Sequence, residues 1–224
     1  MSGQIGDPYL KVISNSFGCD DATARVVALR GSHHHFNAHD VIIRAGDRDQ
    51  GAWLMLGGEA QTLAYGLNGQ YILVHLLNTG DLFGEAVGLS LATSAAEMSA
   101  VGLVDLGHFS TAHFISLMEA HHCIALSVTR MLITRLSQTT RRLVESVTLT
   151  AHGRTYAELL RTAQAGTAMT IRPMPIHSAF ALRVQTSRET VSRALSVLEK
   201  RGITKRDGDG LIIVAPHRLE ELIY

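Results

Sequence analysis

Between Asp49 and Thr129 the chain carries no lysine and no arginine, while six acids stand there: Glu59, Asp81, Glu85, Glu97, Asp105 and Glu119. A pocket built from this segment alone offers no permanent cation. A phosphate entering it would be a buried anion without a charge-assisted partner. Cysteine is nearly absent too. Cys19 and Cys123 are the only two among 224 residues, far apart and without CxxC spacing. That excludes a disulfide scaffold and a four-cysteine iron–sulfur centre within one chain, and it suits a reducing compartment. Long hydrophobic runs are missing, so no transmembrane helix and no membrane partner are expected. Met1–Lys11 lacks a basic region followed by an apolar stretch, so no secretory signal is expected. No nucleophile elbow, P-loop or HExxH occurs, which leaves an enzyme without its usual marks.

What is present divides the chain. Residues 150–224 hold 11 Lys+Arg against 7 Asp+Glu, a net of +4, whereas residues 1–149 hold 9 against 13, a net of −4. A basic C-terminal part beside an acidic N-terminal part suits a chain that meets a polyanion at one end only. Asp20–Leu29 reads as a short helix with an aspartate cap. From His33 to Phe109 short apolar runs (41–43, 52–56, 61–65, 71–74, 99–101) alternate with glycine-containing turns. This texture predicts an all-β barrel or sandwich, with Asn68-Gly69 as a type I′ hairpin turn. A long helix is predicted over Ser116–Thr148. On it Ala125, Val128, Leu132, Leu136, Thr139, Leu143 and Val147 form a near-heptad seam suited to dimerisation. Helices over 152–163 and 176–184 follow.

The most structured stretch is Thr186–Gly202. Ser187 is placed to cap a helix, Lys200 and Arg201 occupy its last turn, and Gly202 stands at the C′ position. Val191, Ala194, Leu195 and Leu198 make one apolar face. Arg188, Glu189, Ser192 and Arg193 fall on the other, as donors and acceptors suited to base edges. The competing reading is a solvated face with an i,i+4 Glu189–Arg193 pair. Beyond Gly202, two short apolar runs flank Asp207-Gly208-Asp209-Gly210, a hairpin. Helix, turn, helix, hairpin spells a winged helix-turn-helix.

Three motifs carry a resemblance. They are Gly46-Asp47 … Gly58 … Gly69 … Gly80-Asp81-Leu82-Phe83-Gly84-Glu85, then Gly153-Arg154, then Ser187-Arg188-Glu189-Thr190-Val191-Ser192-Arg193. The chain resembles the CRP/FNR superfamily of bacterial transcription regulators from about residue 30 to 215. The resemblance implies an α+β chain: an N-terminal β-roll (double-stranded, jelly-roll-like) sensor domain over 1–115, a long dimerisation helix over 116–148, and a C-terminal winged helix-turn-helix domain over 149–224. It implies a bacterial cytoplasmic homodimer, joined through residues 125–147, that binds double-stranded DNA and meets RNA polymerase.

Carried over by position, Arg188, Glu189 and Arg193 match the base-reading trio of the CRP branch. Glu189, Ser192 and Arg193 match the FNR branch. The resemblance therefore implies a palindrome with TGA-like half-site cores. Thr186, Ser187, Lys205 and Arg206 are the candidate phosphate contacts. Gln185 stands where the family's turn usually has glycine, and a left-handed conformation there would carry a steric cost. For the effector pocket, Gly84 and Glu85 keep the ribose-contacting element, Thr139 and Thr140 fall at the base-contacting pair, and Arg135 falls where a helix arginine meets that glutamate. The phosphate-binding Arg-Ser position aligns with Ala95-Ala96, and neither can ionise. The pocket is thus degenerate: cAMP in the usual mode is not expected, no cofactor is predicted, and another small effector stays open. Glu85 and Arg135 could equally form a structural ion pair. The family's haem ligands are unmatched, because Gly84 and Ala86 occupy that stretch. His33-His34-His35 with His39 and His121-His122-Cys123 are the only clusters of metal-ligating types, and no metal site is assigned to them. The alternative function is a ligand- or metal-sensing protein that keeps the fold without sequence-specific DNA binding.

Overall fold

The computed structural model describes residues 3–48, 51–66, 71–84 and 93–224. Asn68-Gly69 and Glu85 lie outside the described residues. The chain divides into two compact units, Met1–Leu136 and Ser137–Tyr224.

In the first unit, strands β1 (Gly3–Gln4), β2 (Ser32–Phe36), β4 (Ala52–Gly57), β7 (Leu82–Phe83) and β9 (Val104–Phe109) form one sheet in the order β1-β2-β9-β4-β7. Strands β3 (Val41–Ile43), β5 (Glu59–Tyr65), β6 (Tyr71–Asn78) and β8 (Glu97–Ala100) form a second in the order β3-β8-β5-β6. The pairings are antiparallel. Strand β4 explains why Ala52–Leu56 is an unbroken apolar run. Trp53 and Met55 enter the core between the sheets, while Ala52, Leu54 and Leu56 enter a second core under the helices. A strand buried on both faces has no solvent side on which to place polar residues.

Helices α1 (Leu10–Phe17), α2 (Asp21–Arg30) and α3 (Thr111–Ala120) cover that second core, with Ile13, Phe17, Val27, Phe114 and Leu117 buried in it. The cap of α2 is as expected: Asp20 accepts from the Thr23 N–H at 2.8 Å. The predicted helix from Ser116 differs. His121 is extended (φ −129°, ψ 102°), so α3 ends there and a separate helix α4 (His122–Thr148) begins. The seam needs one correction as well. Val128 is 5% exposed and packs with Ile124 into the unit's own core. Leu132, Leu136, Leu143 and Val147 of the expected seam are exposed, and Leu126, Ile133 and Val144 widen the apolar stripe beside them.

The second unit holds α5 (Ala151–Ala165), β10 (Thr170–Ile171), α6 (His177–Arg183), α7 (Arg188–Lys200), β11 (Thr204–Asp207), β12 (Gly210–Ile213) and α8 (Pro216–Glu220). The expected hairpin is present and gains a third strand, giving the order β10-β12-β11. The core joins Leu159 and Ala163 of α5, Phe180 of α6, the apolar face of α7, Leu211 and Ile213 of the wing, and Leu219 of the tail. Gly153 admits that tail: a Cβ there would lie 2.5 Å from the Ile223 carbonyl oxygen.

One ionic node binds the end of α4 to α5 and α6. Arg161 donates to Glu145 at 2.5 and 3.1 Å and to Glu158 at 2.9 and 3.2 Å. Arg183 approaches Glu158 at 3.6 Å. Glu145 and Glu158 side chains are only 16% and 18% exposed. Removing Arg161 leaves two half-buried carboxylates short of a partner. Arg161→Ala is expected to destabilise the second unit by about 1–3 kcal/mol. Urea unfolding of the full chain, followed at the second unit's transition, checks this; an unchanged midpoint would mean that solvent already screens the three charges.

Candidate nucleic-acid interface

Helix α7 is held at both ends by the residues expected to hold it. The Ser187 hydroxyl accepts from the Thr190 N–H at 3.2 Å. At the other end Gly202 is left-handed (φ 65°), its N–H donates to the Glu199 carbonyl at 3.0 Å, and the Ile203 N–H donates to the Leu198 carbonyl at 2.9 Å. These two bonds are a Schellman closure. Val191, Ala194, Leu195 and Leu198 are buried at 0–2% exposure. A helix pinned by that face turns Arg188, Glu189, Ser192 and Arg193 outward, and all four are exposed. The i,i+4 ion pair of the competing reading does not form: among the described residues, Arg188, Glu189 and Arg193 make no ion pair, and the Arg193 Nε reaches only the Glu189 backbone carbonyl at 3.4 Å. The Glu189 carboxyl sits below the usual carboxylate range. Its own backbone N–H leads that effect, followed by the Ser187 hydroxyl, with Arg188 and Arg193 adding attraction. It is an ionised acceptor at neutral pH.

The turn before α7 carries a constraint that the sequence reading did not find. Arg154, in the first turn of α5, donates from Nε to the Val184 carbonyl, from Nη2 to the Gln185 carbonyl and from Nη1 to the Leu149 carbonyl, each at 3.0 Å. One planar guanidinium thus ties the end of α6 and the turn to the start of α5. The motif Gly153-Arg154 was the available signal, but its partners are carbonyls, which every residue carries and no sequence pattern displays. Gln185 takes the left-handed conformation after all, with φ 53°.

Of the candidate phosphate contacts, Thr186 is half-buried and Ser187 exposed. Both wing cations, Lys205 and Arg206, are exposed on β11. They differ in engagement. Arg206 pairs with Glu199 of α7 at 2.6 Å, whereas Lys205 makes no ion pair among the described residues. Across the wing, Arg172 pairs with Asp207 and Asp209.

The expected effector residues are scattered in character. Gly84 is buried with φ 78°, and a Cβ there would lie 2.8 Å from the Gly51 carbonyl. Ala95 is exposed and Ala96 half-buried, in a turn where the Ser94 hydroxyl donates to the Ala96 carbonyl at 2.7 Å. Arg135 donates to the Leu82 carbonyl. Thr139 and Thr140 are exposed. A cleft of about 200 Å³ lies in the first unit, lined among others by Phe17, Leu54, Asp81, Leu82, Ser127 and Val128. Of the expected effector residues that are described, Gly84, Ala95, Ala96, Arg135, Thr139 and Thr140 do not line it. The histidine run splits by strand alternation. His33 and His35 both reach one Asp105 oxygen, at 2.9 and 3.2 Å, whereas His34 meets the Ser32 hydroxyl at 2.9 Å and the edge of Trp53. Among the described residues no three such side chains converge as metal ligands would.

The left-handed Gln185 is a measurable strain. An L-residue there costs about 1–2 kcal/mol, and glycine removes the clash while adding unfolded-state freedom. Gln185→Gly is expected to raise stability by about 0.5 kcal/mol in chemical denaturation. A loss of stability would show that the glutamine side chain, not the Arg154 clamp, holds the turn.

Residues 33–121 match the cyclic nucleotide-binding domain family and residues 153–222 the Crp-like helix-turn-helix domain family. The cAMP-activated global transcriptional regulator Vfr of Pseudomonas aeruginosa is 27% identical over 186 residues, covering 80% of this chain and 87% of that protein. The cyclic AMP receptor protein of Thermus thermophilus is 29% identical over 182 residues, covering 81% and 83%. In fold, the chain matches a CooA mutant from Carboxydothermus hydrogenoformans at a TM-score of 0.77, with 16% identity and 98% of each chain covered. It also matches the c-di-GMP responsive global regulator CLP of Xanthomonas campestris at 0.69, with 19% identity and 87% and 99% covered. Among the described residues no helix is long and apolar enough to cross a membrane. With a cyclic nucleotide-binding domain followed by a Crp-like helix-turn-helix in one chain, and relatives that span four fifths of it, this protein is not an enzyme but a DNA-binding transcription regulator of the CRP/FNR superfamily.

Proposed function

We propose that the protein is a homodimer that reads a palindrome with TGA-like half-site cores through α7. The observation that carries this is the capped helix α7, whose buried face turns Arg188, Glu189, Ser192 and Arg193 together into solvent, where they make no ion pair among the described residues. An arginine fork suits guanine O6 and N7, a carboxylate suits cytosine N4, and a serine hydroxyl suits either. Thr186, Ser187 and Lys205 supply phosphate contacts, with Arg206 held back by Glu199. The exposed stripe from Leu126 to Val147 on α4 supplies the dimer seam. Two copies then place two α7 helices on half-sites about one helical turn apart, as this class of motif does. RNA polymerase is the further partner.

The effector is proposed to be something other than cAMP in the usual mode. Gly84–Glu85 keep one pocket element, but Ala95 and Ala96 stand where a phosphate would need a cation, and Arg135 is bound to the Leu82 carbonyl. The relatives are named for two different nucleotide signals, cAMP and c-di-GMP, which accords with a pocket whose chemistry varies within one fold.

Band shifts on a TGA-containing palindrome test the interface. Arg193→Ala is expected to cost about 1–3 kcal/mol and to relax selectivity at one base pair, whereas Lys205→Ala weakens all sequences alike and lowers the salt slope by about one. Equal binding to specific and random DNA by the unmodified protein at moderate salt, with candidate ligands present or absent, would sink this function and favour the ligand-sensing alternative. For the pocket, calorimetry is expected to show no tight cAMP binding. Tight binding abolished by Glu85→Ala would overturn that expectation.

A further inference from the structure

The two cysteines, far apart in the sequence, meet in the structure. Helix α1 ends at Gly18 in the left-handed conformation (φ 57°), and the next residue, Cys19, is fixed twice. Its N–H donates to the Ser14 carbonyl at 3.1 Å, and the Ser14 hydroxyl donates to its carbonyl at 2.6 Å. Cys123 lies in the first turn of α4, and Ser127 one turn later donates to the Phe17 carbonyl at 2.8 Å. The turn around Cys19 is therefore braced against the turn around Cys123 by a hydrogen bond beside the two thiols. Cys19 and Cys123 pack on the same core, and Cys123 lies near enough to help raise the Cys19 thiol. Neither is sealed; each is half-buried. Two thiols packed on one core, on turns tied together by the Ser127–Phe17 bond, are placed to meet in a disulfide of about 2.05 Å.

We propose that Cys19 and Cys123 form a reversible intramolecular disulfide when the protein meets a peroxide, making this corner of the first unit a redox-responsive site. The chemistry assigns the two sulfurs different parts. Burial, with Cys123 and Asp20 nearby, pushes the Cys19 thiol up to about 11, so it is a poor first nucleophile. Cys123, in the first turn of α4, is the sulfur left to act first. Its thiolate attacks one peroxide oxygen, the O–O bond breaks, and the departing hydroxide takes a proton to become water. The Cys19 sulfur then attacks the resulting sulfenic acid. The S–S bond forms, the S–OH bond breaks, and the hydroxide leaves as a second water with the Cys19 proton. Two thiols give up two electrons and two protons to one peroxide molecule, and a small thiol reverses the bond by exchange. In a reducing compartment the pair rests as thiols and closes only under oxidation. The cross-link ties the end of α1 to the start of α4, the helix that carries the exposed apolar stripe.

The test uses the full-length protein treated with hydrogen peroxide, alkylated, and examined by mass spectrometry without reduction. The expected result is a monomer lighter by two hydrogens, joint loss of both alkylatable thiols, and a peptide containing Cys19 linked to one containing Cys123, all restored by dithiothreitol. The oxidised protein is expected to melt at a higher temperature than the reduced one, since the link restricts the unfolded chain. Cys19→Ser and Cys123→Ser should each abolish the linked peptide while keeping the circular dichroism of the reduced wild type. Disulfides between chains, over-oxidation of one cysteine while the other stays alkylatable, or thiols that stay inert to peroxide would each overturn the proposal. The wild-type peptide map decides even where a serine variant folds poorly, and the result does not depend on DNA binding.

Discussion

The second unit depends on the burial of one face of one helix. Val191, Ala194, Leu195 and Leu198 are closed off from solvent against α5, α6, the wing and the tail. A rigid helix cannot bury one face without presenting the other, so the direction of Arg188, Glu189, Ser192 and Arg193 follows from hydrophobic burial, not from any attraction among themselves. The cap at Ser187 and the Schellman closure at Gly202 fix where that face begins and ends. Arg154 then sets how α6 meets α7, by holding the carbonyls of Val184 and Gln185. The node of Glu145, Glu158, Arg161 and Arg183 does for α4, α5 and α6 what Arg154 does for the turn.

The first unit obeys a different constraint. Strand β4 is covered on both faces, so it must be apolar throughout, and the two cores on its sides hold both sheets and three helices together. The segment that builds most of this unit contains no lysine or arginine between residues 49 and 129. Its polar contacts are consequently made by histidine, hydroxyl and carboxylate groups, as where His33 and His35 share the Asp105 carboxylate. Burial raises the Asp105 pKa, but the hydrogen bonds from the two histidines outweigh it, so the group sits below its ordinary value. It therefore adds to stability above its unfolded-state pKa, and that contribution disappears as the pH falls through the depressed folded value.

Legibility differed from element to element. Strands β3, β5 and β6 announced themselves by apolar runs and turn residues. Strand β2, whose sequence is Ser-His-His-His-Phe, did not, because its side chains pair with Asp105 and Ser32 instead of filling a uniformly greasy face. Helix α1 was missed for want of a distinctive start signal; its N-cap residue, Tyr9, makes no side-chain capping bond. The seam of α4 was legible as a pattern, yet Val128 belongs to the unit's own core, since a periodic apolar row does not say which surface covers it.

Periodicity, capping residues and spacing are local properties of a chain. They were enough, on the sequence alone, to determine the winged helix-turn-helix, the polar set on its second helix, the β-rich first unit and the want of a cation in its middle segment. Contacts between distant backbone groups and between distant side chains are not local. Only the tertiary structure decided that Arg154 would clamp the turn at Gln185, that Arg206 would be drawn to Glu199 while Lys205 makes no ion pair among the described residues, and that Cys19 and Cys123 would pack on one core. The reason is physical: carbonyls and thiols acquire meaning from what folding brings beside them, and nothing in their immediate sequence names that neighbour.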